Sequence, residues 1–202
     1  MTRNLLIITI LFGLTACGGV PPVPSDHFYR LTSPQQKDIE KQQISDSVIY
    51  VGNFIADGLY NERALLFVKG DEGRELQQHH YHFWITSPPH LLHDYLIDYL
   101  RKVDAAPMII DGTNTKGRIK ISGKVLGFEY QTIDSTKTAN VVLELRLDKY
   151  GEERPIIIKE YRANEPVNGD NMVEIVAAFN RAVLAIYKQF LIDIKETYIA
   201  GK

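Results

Sequence analysis

The second half of the sequence contains three consecutive runs, at residues 118–131 (RIKISGKVLGFEYQ), 139–150 (ANVVLELRLDKY) and 155–163 (PIIIKEYRA). Each run is rich in β-branched and aromatic residues, and polar turns such as YGEER separate the runs, which is the pattern of consecutive β-strands. Strands joined by turns this short pair with their neighbours in opposite directions. The three runs therefore predict an antiparallel meander.

A long amphipathic helix is predicted after this meander, from about Asp170 to Tyr198. Its charged residues recur every seven positions and most of the remaining circumference is apolar, so the helix needs more than one buried face. We expect one face to cover the sheet. Three bulky residues point away from that face: Ile175, Phe179 and Ile186. They are expected to contact either the core or a partner, and we predict that they contribute to self-association in a homo-oligomer.

A second, shorter helix is predicted in the middle of the chain. Ser87 precedes Pro88 and Pro89, which suit a first helical turn because its backbone N–H groups lack helical partners, and apolar residues then recur at intervals of three and four. Further short strands are predicted at residues 27–33, 47–54, 65–68, 76–85 and 107–110. The sequence thus predicts a single α/β (α+β) domain, in which both helices pack on a mixed, largely antiparallel sheet.

The amino-terminal residues have the pattern of a bacterial lipoprotein signal. A basic start precedes an uncharged run, residues 5–14, that is too short to cross roughly 30 Å of hydrocarbon. Leu-Thr-Ala-Cys at residues 14–17 then resembles a lipobox, and Cys17 is the only cysteine of the chain. We expect residues 1–16 to be a signal peptide and Cys17 to carry covalent diacylglycerol and an N-acyl chain, with no other cofactor. An ordinary secretory signal followed by a buried cysteine is the alternative.

The residues after Cys17 predict where the domain resides. Gly18 stands where an aspartate commonly retains lipoproteins of enteric-type bacteria in the inner membrane, so we expect the outer membrane, with the domain in the periplasm. Residues 17–26 form a Gly/Pro-rich tether that extends by about 3 Å per residue, and it holds the domain, residues 27–202, within roughly 30 Å of its membrane. The formal net charge of −2 excludes the basic footprint of a nucleic-acid-binding protein.

Five of the six histidines lie close together in the sequence, at positions 79, 80, 82, 90 and 93. On a strand His80 and His82 would share a face, so a metal site is conceivable. The chain nevertheless lacks an HExxH motif, a GxSxG turn and a phosphate-binding loop of the GxxxxGK[ST] type. We therefore expect no metal site and no catalytic residues.

Trp84, the only tryptophan, lies at the end of the fourth predicted strand, just before the mid-chain helix. One interpretation makes it a core anchor that packs the strand against that helix. The other makes it an exposed aromatic side chain at a partner surface.

The order of these features resembles the family of ABC-type transport auxiliary lipoproteins, which includes PqiC-like outer-membrane lipoproteins of MCE-type lipid transport systems. The shared features are the lipobox, the tether, a Tyr-x-Leu strand at residues 29–31, the Val-Gly strand VIYVGNF, the segment WITSPPHLLHDYLIDYL, the meander and the terminal helix. One departure is NFIADGLYNERALL, where Ala56 and Asp57 replace the proline of the family's Ile-Pro-x-Tyr-Leu stretch.

The resemblance implies a non-enzymatic outer-membrane lipoprotein in intermembrane lipid transport. Its partners would be a periplasmic MCE-domain protein and the associated ABC transporter, for which it would act as an auxiliary or docking component. The alternatives are a lipoprotein of another envelope assembly machine, a binder of a small hydrophobic ligand, and a metalloenzyme that uses the histidines.

Overall fold

The computed structural model describes residues 24–35, 39–69, 75–112, 119–133 and 136–200. Cys17 and Gly18 lie outside these ranges. The strands are β1 (His27–Tyr29), β2 (Ile49–Ala56), β3 (Ala64–Lys69), β4 (Glu75–Trp84), β5 (Ile109–Asp111), β6 (Ile119–Ile133), β7 (Thr136–Lys149) and β8 (Ile157–Pro166). The helices are α1 (Pro88–Lys102), α2 (Met172–Ala200) and a 3₁₀ helix, Gly58–Asn61.

Strand β6 organises the sheet. It pairs antiparallel with β7 along its length, and β7 pairs antiparallel with β8, which confirms the predicted meander. The other edge of β6 is shared: its first half pairs parallel with β2 and its second half pairs parallel with β3. Beyond these lie β5 on one branch and β4 followed by β1 on the other. The result is a mixed sheet whose longest ladders are antiparallel, in a single α+β domain as the sequence predicts.

Both α-helices cover one face of this sheet. Along β6 the inward side chains of Ile119, Ile121 and Val125 are buried, whereas Lys120 and Lys124 between them point outward. Helix α1 packs on β2, β5 and β6, and α2 packs on β7 and β8. Pro88 and Pro89 do occupy the first turn of α1, after the cap residue Ser87.

The structure corrects the interpretation of α2 as a helix with one face left for a partner. Ile175, Phe179 and Ile186 are all buried, with at most 2% of each residue exposed. The two apolar stripes are both covered within the subunit, because Phe179 contacts the sheet while Tyr187 contacts α1. These three residues are therefore core residues and not a surface for self-association.

Helix α2 is long and apolar enough over Met172–Thr197 to cross a membrane, but 56% of its most apolar window is buried inside the fold. That burial is what a core helix of a globular domain shows. Its exposed apolar residues, Val173 and Ile192, are few and lie apart in the sequence.

The segment that departs from the family pattern forms the 3₁₀ helix, which lies against α1, β2 and β6. Gly58, just after Asp57, has a φ of 55°, a value that favours glycine. Tyr60 reaches the buried carboxylate of Glu129, which also accepts hydrogen bonds from the Asn140 side chain and from the backbone N–H of Phe128. Burial and the negative charge of Glu129 raise the pKa of Tyr60. This network fixes the 3₁₀ helix on the sheet.

Candidate functional site at the β1 edge

Trp84 ends β4 and lies in the core, where only 1% of it is exposed. Its ring meets Phe179 edge-on at 5.3 Å and Phe128 at 5.1 Å between ring centroids. It thus ties the sheet to α2. The interpretation of Trp84 as an exposed partner contact does not hold.

The first strand lies directly beside this anchor. β1 pairs parallel with β4, with His27 opposite His82, Phe28 opposite Phe83 and Tyr29 opposite Trp84. The side chains of a strand alternate between its two faces, so Phe28 points to the opposite face from His27 and Tyr29. Two different clusters result, one on each face of the same short strand.

The first cluster lines a surface cavity of about 370 Å³, here called the β1 groove. Phe28 is 56% exposed, its ring lies 5.8 Å from that of Phe83, and the Arg63 guanidinium lies 5.4 Å above it. Arg63 is held in place because its Nε donates to the Trp84 carbonyl over 3.2 Å. The carboxylates of Asp26 and Glu62 also line the cavity. Exposed aromatic rings flanked by charges of both signs are suited to binding.

The second cluster, here called the histidine cluster, consists of His27, His79 and His82. The ring of His82 stacks on His27 at 5.2 Å and meets His79 edge-on at 5.4 Å. Its Nδ1 is hydrogen-bonded to the Tyr29 hydroxyl at 2.9 Å, and His79 Nε2 to the Tyr130 hydroxyl at 2.7 Å. Burial lowers the pKa of His79 and of His82, and the charges of neighbouring histidines lower it further.

The pairing of these histidines differs from the sequence expectation. Regular alternation would place His80 with His82, but the register between β3 and β4 shifts between Ala64 and Leu66. At this irregularity His80 and Tyr81 are both exposed, and His79 joins His82 on the half-buried face.

The histidines of α1 lie elsewhere. His90 is exposed and bonded to Ser87, whereas His93 is buried, with Nε2 3.2 Å from Asp111 and Nδ1 3.0 Å from Asp94. Within the ranges described above, no group of three or more His, Cys, Asp or Glu residues could hold a metal ion. The five histidines therefore serve at least two separate contact sites.

The chain that leaves β1 is fixed to both helices. The Thr32 N–H donates to Asn180 Oδ1 of α2 over 2.7 Å. The Ser33 hydroxyl donates to Asp98 of α1, and Lys102 Nζ lies 2.5 Å from Ser33 Oγ and 2.7 Å from Asp98 Oδ2. Burial alone would raise the pKa of Asp98, but the hydrogen bonds from Lys102 and Ser33 outweigh it and lower that pKa. The sequence gives no signal for these contacts, because they join Thr32 and Ser33 to helix residues that are 65 or more positions away.

Comparison with known proteins first places the fold in a class of single-domain α+β proteins of known structure. Protein XCC0632 from Xanthomonas campestris superposes with a TM-score of 0.75 at 14% identity, over 87% of this chain and 98% of that one. Hypothetical protein CT253 from Chlamydia trachomatis gives a TM-score of 0.51 at 7% identity, over 77% and 99%. At these identities the likeness shows the fold alone.

Residues 29–190 match the family described as ABC-type transport auxiliary lipoprotein component. This match covers most of the chain, and the protein belongs to that family. Membership implies a membrane-anchored envelope protein that has an ABC transport system as its partner. The family is defined by an auxiliary role in transport and is not a family of enzymes. No curated protein matches the chain.

Proposed function

We propose that the protein is an outer-membrane lipoprotein that serves as the docking component of an ABC transporter with an MCE-type periplasmic protein, in intermembrane lipid transport. The observation that carries the proposal is the family match over residues 29–190 together with a lipobox that ends at Cys17. In this proposal residues 1–16 are removed, Cys17 carries the acyl chains, residues 17–26 are the tether and residues 27–202 are the domain. Gly18, in place of aspartate, directs the protein to the outer membrane.

The position of β1 fits this arrangement. The tether leads directly into β1, so the lipid anchor is connected to an edge strand of the sheet. A tether of ten residues that extends by about 3 Å per residue cannot carry the domain across the periplasm. The protein therefore needs a partner that reaches the outer membrane, which is the role we assign to the periplasmic assembly.

The chemistry of the described side chains favours docking over catalysis. The hydroxyl group of Ser33 is bonded to Asp98 and Lys102, and Lys102 also forms an ion pair with Asp98, so these side chains are engaged in structural contacts. The mixed charge gives no surface suited to nucleic acid. We propose a non-enzymatic role without a metal or other cofactor beyond the acyl chains.

Self-association remains part of the proposal, on surfaces other than the one the sequence suggested. β8 pairs with β7 and has no second partner strand in the described part of the chain, so its other edge presents backbone groups that a neighbouring copy could pair with. Ile158 on this strand is 56% exposed.

A second candidate function is the binding of a small hydrophobic ligand. The β1 groove favours it, because Phe28 and Phe83 present apolar surface in a cavity of about 370 Å³. A ligand that co-purifies with the wild-type chain and is lost on Phe28→Asp, while partner binding is kept, would establish this function instead.

Labelling with palmitate and membrane fractionation test the anchor. The wild-type protein is expected to carry the palmitate label and to be found in the outer-membrane fraction. The Cys17→Ala variant is expected to be unlabelled and to be either uncleaved or soluble in the periplasm. Gly18→Asp should move the protein to the inner membrane in a host that sorts by aspartate. Label or membrane flotation that persists in Cys17→Ala would overturn the lipoprotein assignment.

A further inference from the structure

Strand β1 is attached to the domain through few contacts. Among the described residues it pairs with β4 alone, over three residues, and the Tyr29 carbonyl accepts a 2.7 Å hydrogen bond from the Ile85 N–H. Two of its three side chains contact the same residue: the ring of His27 stacks on His82, and the Tyr29 hydroxyl is bonded to His82 Nδ1. His82 is therefore the centre of the attachment on this face of the sheet.

The groups around His82 do not favour a charged ring. Facing His82 and its neighbour His79 are His27 and Tyr29 from β1, His80 from β4 and Tyr130 from β6, while β3 contributes the uncharged ring of Phe67. Among the described residues, no carboxylate lies within 4.0 Å of a ring nitrogen in the histidine cluster. The ion pairs that histidine does form belong to His93, which lies on α1 outside the cluster. Protonation would thus place like charges beside one another without an acidic partner.

We propose that the histidine cluster is a pH-sensitive latch for β1, in which neutral imidazoles hold the strand on the sheet and their protonation releases it. Folding lowers the pKa of His79 and His82 below the 6.5 of an unperturbed histidine. The docked strand therefore binds fewer protons than the released strand, so docking is fully stable above about pH 6.5 and weakens as the pH falls below it. Salt should reduce the effect, because His27 is exposed and its charge is screened.

The consequence for function rests on the proposed lipid anchor. Release of β1 would add residues 27–31 to the tether, up to the fixed points that Thr32 and Ser33 provide on the two helices. At about 3.3 Å per extended residue, the reach of the domain from its membrane increases by at most roughly 16 Å. Acidification would thus change the distance at which the domain can meet its partner.

Hydrogen exchange at the Ile85 amide reports the latch directly, because this N–H donates to Tyr29 of β1. We would measure protection factors, corrected for the intrinsic pH dependence of exchange, on the purified full chain at pH 7.5 and pH 5.0. The protection factor of Ile85 is expected to fall at least about fourfold at pH 5.0. This is the change that the repulsion between two unit charges about 5 Å apart produces even in a medium as polar as water. Amides of β6 and β7 should keep their protection.

His82→Gln should remove most of this response, because glutamine can still accept from Tyr29 but cannot be protonated. The matched control is His90→Gln, since His90 is exposed and outside the cluster; it should respond as the wild type does. His27→Gln, at an exposed position, gives a second test that does not depend on the folding of His82→Gln. An unchanged Ile85 protection factor in the wild type, or a full response in both His82→Gln and His27→Gln, would overturn the proposal. The measurement needs neither membrane nor partner, so its failure would leave the proposed transport role untouched.

Discussion

The hydroxyl group of Tyr187 donates a 2.8 Å hydrogen bond to the backbone carbonyl of Leu92, so the centre of α2 is bonded to the first half of α1. Tyr187 is fully buried, and its ring also lies 5.8 Å from that of Tyr95. This contact explains why α2 has two apolar stripes: one faces the sheet and the other faces α1.

Tyr187→Phe is expected to destabilise the domain by about 1 kcal/mol, because the Leu92 carbonyl loses a buried hydrogen bond while the ring keeps its packing. Chemical denaturation at pH 7 measures the free energy of unfolding. Tyr150→Phe, at an exposed residue, is the control and should be neutral. Equal free energies for Tyr187→Phe and wild type would show that the hydroxyl group contributes nothing.

The free energy of unfolding should fall as the pH rises above 10. Burial raises the pKa of Tyr187 well above its usual value, so above pH 10 the unfolded chain loses the phenolic proton while the folded chain retains it. Stability is thus fully present below the unfolded pKa and is lost above it. Tyr187→Phe should show a weaker pH dependence between pH 9 and pH 11 than the wild type; an identical slope would contradict this reasoning.

Phe179→Ala is expected to cost about 3–5 kcal/mol, since it removes a ring packed between Trp84 and Phe128. Phe179→Asp should prevent folding. The control on the same helix is Val173→Asp, because 66% of Val173 is exposed, and it should fold normally. If Phe179→Asp folded as a stable monomer, this side chain would have to lie at a surface and the packing described above would be wrong.

Gly58→Ala should destabilise the 3₁₀ helix by about 1 kcal/mol, because an alanine at φ 55° is strained even though no atom blocks a Cβ there. Thermal unfolding measures the loss. Gly52→Ala is the control and should cost less, since Gly52 does not have a left-handed φ and an added Cβ would meet the flexible end of the Lys120 side chain. A stability unchanged in Gly58→Ala would argue against the left-handed turn.

The sequence was sufficient for the meander, for both helices and for the fold class, because alternation and helical periodicity report which side chains are buried. It could not show what buries them. The apolar residues around Phe179 look the same in the sequence whether the sheet or a second subunit covers them. The pairing of His79 with His82 depends on an irregularity in β4 that strict alternation does not reveal. The contact between Phe28 and Arg63 joins strand β1 to the loop before β3, and periodicity carries no information on such pairs.

If this chain docks a transport assembly at the outer membrane, that assembly should be recovered when the native complex is purified. The wild-type lipoprotein, tagged at its carboxy terminus and purified in mild detergent, should co-purify with an MCE-domain protein and the permease and ATPase of one ABC transporter, identified by mass spectrometry. Cys17→Ala, expressed at the same level, should recover less of this complex. Enrichment of another envelope machine, or of no transporter component under conditions that preserve known envelope complexes, would contradict the account.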